Sequence, residues 1–216
     1  MNKNIASQLG LYASILLVVL GVIYILVFLY AITLAGITTQ LPPLVELVIG
    51  VVTFITVSLV VVQFTAIRFV NEGNNQILGA LGVNFILLFA AAVSINRFVQ
   101  LTVIQQSLPD LPSDLVRFLP YGDGSVMFAL EVLGWGFFSS LAAVCVAPLF
   151  SSSHLNLAIR WLFILYAILS LLSAFSFATK IFIPTGPIAW GPVYLVISIL
   201  LFVYFRKIDQ QAIEID

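Results

Sequence analysis

Two side chains in this sequence carry a full charge where their neighbours are almost all apolar. Arg97 lies in the run at residues 77–104, and Glu131 lies in the run at residues 125–150. A guanidinium and a carboxylate in such surroundings can pair and fix two helices. They can instead bind a solute, ion or proton, or the carboxylate can act as an acid or base beside its counter-charge. Either charge left alone in hydrocarbon costs about 2.5–3.5 kcal/mol on insertion scales, so each is expected to have a partner.

Depth identifies that partner. If the two runs are helices of opposite direction, Arg97 lies six residues past the first midpoint, near Ala91, and Glu131 six residues before the second, near Phe137. At 1.5 Å per residue both are displaced by roughly 9 Å toward the same side. Consecutive helices joined by a modest loop are usually neighbours, so an Arg97–Glu131 pair is expected. Glu46 is the competing partner, nearer the boundary, where an arginine stem can reach outward. Asn96 and Gln100 lie beside Arg97. Trp135 shares the Glu131 face at i+4, between Gly134 and Gly136, which permit close helix approach. Together these residues could line a small cavity. On the other half of the bundle, Gln63 and Asn84 fall at similar depth on adjacent runs and are expected to form a structural polar pair.

Composition dictates the elements that hold these residues. The 216 residues are 62% hydrophobic and 8% charged, with a mean hydropathy of +1.19. A soluble domain carries about 25% charged residues to make its solvated shell. This chain is too poor in charge for that, so most of its outer surface faces lipid. Apolar runs of about 20 residues cross a bilayer as helices, which satisfy their own backbone groups. The expected fold is all-α, a single transmembrane domain over residues 1–216 with six spans at 9–35, 44–67, 77–104, 125–150, 157–178 and 187–205. The second run is rich in β-branched residues, but its length decides for helix. The first is too long for a signal-peptide core and is expected to be retained.

The longest loop, residues 105–124, is acidic and proline-rich, with a short helical turn expected over residues 114–119, capped by Ser113 or Asp114. Asp123 or Ser125 is expected to cap the fourth helix, and Arg206-Lys207 to stop the sixth. Six crossings put both termini on one side, together with Lys3, Arg68, Arg160, Arg206 and Lys207. Arg117 and Lys180 fall on the other. That distribution places the termini in the cytoplasm and the acidic loop outside.

Several chemistries lack their residues. A net charge of −1 without a basic cluster argues against nucleic acid. Cys145 is the single cysteine and His154 the single histidine, which excludes an internal disulfide, a multi-cysteine metal site and a bis-histidine haem. No metal or cofactor is expected. Phosphate-binding glycine loops and HExxH are absent, and no catalytic residue is assigned. The halves show no residue match of the kind inverted-repeat transporters carry.

The runs SINRFVQLTV (residues 94–103), EVLGWGFF (131–138) and IRWLF (159–163) resemble uncharacterised prokaryotic six-span membrane proteins. That resemblance implies a prokaryotic plasma (inner) membrane and no activity. Three functions stay open. The first is an integral membrane protein whose outer-leaflet Arg/Glu site binds or translocates a small solute or lipid. The second is a non-catalytic accessory or assembly subunit, with a membrane protein or a second copy as partner besides the membrane lipids. The third is a membrane enzyme using Glu131.

Overall fold

The computed structural model describes residues 3–35, 42–71, 75–107, 110–119, 124–181 and 185–213. Six helices are long and apolar enough to cross a membrane: α1 (Lys3–Ala35), α2 (Pro43–Val70), α3 (Gln76–Ser107), α4 (Val126–Leu149), α5 (His154–Thr179) and α6 (Gly186–Gln211). No strand occurs among the described residues.

Local chemistry sets several helix ends. Pro43 opens α2, where its missing N–H would be unsatisfied anyway. Ser125 opens α4, its hydroxyl accepting from the Phe128 amide at 3.0 Å, and Ser153 does the same for Asn156 at the start of α5. Lys180 ends α5 in the left-handed region at φ 60°. Of the two caps expected for α4, Ser125 makes the bond; Asp123 lies outside the described residues.

Several ends differ from expectation. α1 begins at Lys3 and α6 runs on past Arg206 and Lys207, with helix to Ile213. Charged side chains end the apolar span without ending the helix, because in water the backbone is helical as readily with Arg, Lys and Gln as with Leu. His154, expected in a loop, is the exposed first residue of α5.

Each helix packs against its sequence neighbours, and α1 against α6, which closes a ring. Its interior is filled by side chains from every helix, among them Leu17, Phe64, Phe89, Trp135, Tyr166 and Leu201. α4 is the most enclosed, 61% of its span being buried against 17% for α1. Gly134 and Gly136 let it sit so deep. A Cβ at Gly134 would stand 2.6 Å from Val93 Cγ2 on α3, and one at Gly136 would stand 2.9 Å from Ala174 Cβ on α5.

Three helices contain a wider π turn: α3 at Gln100–Ile104, α4 at Leu133–Phe138 and α6 at Ala189–Val193. The one in α6 holds Pro192, whose missing amide removes a ladder bond. All three lie toward the side that carries residues 110–119, here the loop side; the opposite side, with Lys3 and Ile213, is the termini side. Such turns are frequent at functional sites.

Candidate functional site

The last regular turn of α3 and the second turn of α4 meet in the loop-side half of the ring. Arg97 Nη2 donates to Glu131 Oε1 at 2.5 Å, and the two form an ion pair. Asn96 Nδ2 donates to the second carboxylate oxygen, Oε2. One turn of α3 therefore presents two donors side by side to both oxygens of one carboxylate. All three side chains are buried; Asn96 is 2% exposed and Arg97 6%. The pairing of a guanidinium with a carboxylate leaves the cluster near neutral, which is what permits it at this depth.

Asn96 Oδ1 is buried and receives no hydrogen bond from the described residues. Reversing the amide would turn that oxygen toward Glu131 Oε2, acceptor against acceptor, so the carboxylate fixes the orientation. The result is a buried acceptor with spare capacity directly beside the charged pair.

The loop bonds to both helices that carry this cluster. Gln100, one turn beyond Asn96, donates through Nε2 to the Phe118 carbonyl at 2.9 Å. Ser125 donates to the Leu119 carbonyl at 2.6 Å. Both carbonyls belong to or follow a single 3-10 turn, Val116–Phe118. That turn is shorter than the one expected over residues 114–119. Neither Ser113 nor Asp114 caps it: the residue before it is Leu115, which has no capping side chain, and the Leu115 amide bonds back to the Pro112 carbonyl.

Trp135 lies on the Glu131 face but joins an aromatic layer beneath it. Its ring stands edge-on to Phe89 with centroids 4.6 Å apart, and 6.2 Å from Trp190. Val93, one turn before Arg97, packs on Gly134. Glu46, the competing partner, accepts from Gln105 Nε2 at 3.5 Å.

The Gln63–Asn84 bond is not formed. Asn84 is exposed on the outside of α3. Gln63 is fully buried and uses both ends of its amide elsewhere: Nε2 donates to Ser14 Oγ at 2.9 Å, and Oε1 accepts from Tyr194 OH at 2.8 Å. Similar depth was not enough, because Asn84 and Gln63 point to different sides of α3.

Gln63 belongs instead to a polar layer that sequence reasoning missed. Ser14 Oγ donates to the Gly10 carbonyl at 2.7 Å. Across the ring, Tyr166 OH donates to Ser139 Oγ at 2.9 Å, which donates in turn to the Trp135 carbonyl. Trp190 Nε1 donates to Ser170 Oγ at 3.2 Å. The rings of Tyr166 and Tyr194 lie 5.5 Å apart between the two halves. The available signal was a hydroxyl or amide embedded in each apolar run; its direction around the helix was the missing information.

No cluster of three or more metal-ligating side chains occurs among the described residues. Comparison with protein-family models, curated proteins and solved structures finds no match to this chain. The site must therefore be read from its own geometry.

Proposed function

We propose that this chain is a multi-pass protein of a prokaryotic plasma membrane, with cytoplasmic termini, that binds a small polar solute at Asn96, Arg97 and Glu131. The orientation rests on five Lys or Arg residues on the termini side against two on the loop side. The binding reading rests on one observation above all: Asn96 Oδ1, buried beside the ion pair, takes no donor among the described residues. A buried acceptor left without a partner costs about 1–3 kcal/mol, and a bound donor group would recover it. A solute with an N–H or O–H group fits that acceptor.

The test is thermal stability of the purified protein against a panel of amino acids, polyols and ammonium salts. A solute bound at the cluster raises the unfolding midpoint of the native protein and leaves Asn96→Leu unmoved. Equal stabilisation of both proteins, or of neither by any solute, would count against the site.

A further inference from the structure

Asn84, which takes no part in the Gln63 layer, stands on the outer face of α3. It is exposed there and makes no hydrogen bond to any other described residue. It lies eight residues past Gln76, the first residue of α3, so its amide is roughly 12 Å inside the span. Hydrocarbon at that depth offers neither donor nor acceptor, and a primary amide has two N–H groups and a carbonyl to satisfy. Gln63, an amide between helices, has partners on both sides, Ser14 and Tyr194.

The residues around Asn84 form a seam. The inner side of α3 faces its neighbours in the ring: a Cβ at Gly79 would meet Arg68 on α2, and one at Gly82 would meet Val146 on α4. On the opposite side Ile77, Leu81, Asn84, Leu88 and Ala91 are all exposed, at alternating spacings of four and three residues. That alternation is the repeat by which two helices pack knobs into holes, and one polar residue within it fixes register and oligomeric state. Asn84 is the polar member here and stands at the centre, seven residues from either end.

A second copy of this chain is the partner that this seam fits. The bias of Lys and Arg orients every copy alike. Two such copies are related by a two-fold axis along the membrane normal, so a residue at the axis meets itself at its own depth. A carboxylate or a guanidinium would repel its counterpart there. An amide donates and accepts at once, so two Asn84 side chains satisfy each other. We infer that α3 pairs with α3 of a second copy along this seam, with the two Asn84 amides hydrogen-bonded at its centre. The seam lies outside the ring and does not depend on what the Asn96 cluster binds.

Energy transfer between donor- and acceptor-labelled full-length copies, in vesicles of phosphatidylethanolamine and phosphatidylglycerol, tests the pairing. The label is carried at Lys207→Cys in the Cys145→Ala background, away from the seam. Transfer should fall as lipid is added. Asn84→Leu, which changes an exposed side chain and leaves the ring's own packing intact, should need about tenfold more protein per lipid for the same transfer. Asn84→Gln, which keeps an amide, should recover most of that loss. Oxidative cross-linking in native membranes locates the face: Leu88→Cys in Cys145→Ala should give a covalent dimer, and Leu165→Cys, 43% exposed on α5, should not. Asn84→Leu associating as tightly as the native side chain, or no association at any density, would overturn the pairing. So would equal cross-linking from both positions, or a Leu88→Cys product that is not twice the mass of the chain.

Discussion

Glu131 accepts from two neighbours on one turn of α3, so replacing it with glutamine does more than remove a charge. Arg97 would remain buried beside a neutral amide, and Asn96 Nδ2 would meet an oxygen or another donor depending on the rotamer. Breaking a buried pair from one side costs about 3–5 kcal/mol, whereas removing both partners costs much less. Glu131→Leu and Arg97→Leu should each lower the unfolding midpoint sharply, and the two together should recover most of the loss. Additive losses in that cycle, followed by tryptophan fluorescence, would mean that the side chains are not coupled. A second prediction concerns Gln63. Tyr194→Phe leaves Gln63 Oε1 buried without its donor, a loss of about 1–3 kcal/mol. An unchanged midpoint would show that the amide finds another partner.

At the scale of the elements, the ring depends on how closely α4 approaches its neighbours. Gly134→Val would place a branched side chain where Val93 already stands. Overpacking of this kind costs about 1–3 kcal/mol, so the variant should lose stability, and Val93→Ala in the same chain should restore part of it. No recovery would place the cause elsewhere than the α3–α4 contact. The same scale explains what the sequence could and could not disclose. Arg97 and Glu131 were legible because an unpaired charge in lipid is costly and only one opposite charge lay at matching depth within an apolar run. Asn84 was not, because depth says nothing about direction around a helix. Thirteen residues at about 100° each put it roughly 140° from Arg97, so both could not face the ring. The spans were legible from length and hydropathy. The π turns were not, since LGWGFF at residues 133–138 carries no local signal for a wider turn and the packing of Gly134 and Gly136 is a tertiary matter.

The whole molecule combines a closed ring of helices with a buried charged cluster in its loop-side half. The buried hydrogen bonds of Ser14, Gln63, Tyr194, Tyr166 and Ser139 tie its middle, and the Phe118 and Leu119 carbonyls bond to Gln100 and Ser125 on the loop side. Six crossings predict that Asp114→Cys and Lys207→Cys, each placed in Cys145→Ala, react with an impermeant maleimide from opposite faces of the membrane. Reaction from the same face would require an even number of crossings between them.

The measurement that bears most directly on the Asn96–Arg97–Glu131 site is its accessibility to water beneath the loop. Gly134 cannot carry the probe, because any side chain there collides with Val93. Gln100 can: it is 7% exposed, one turn from Asn96, and bonded to the loop at Phe118. Gln100→Cys in the Cys145→Ala background is treated with a water-soluble maleimide from the loop side, with Asp114→Cys as the exposed reference and the lipid-facing Ile95→Cys as the inert one. A solute site predicts a rate for position 100 between the two references, since the loop must move to admit the reagent. A position 100 as inert as position 95, in membranes where Asp114→Cys labels fully, would contradict a solute site and leave the charge pair as a structural clamp between α3 and α4.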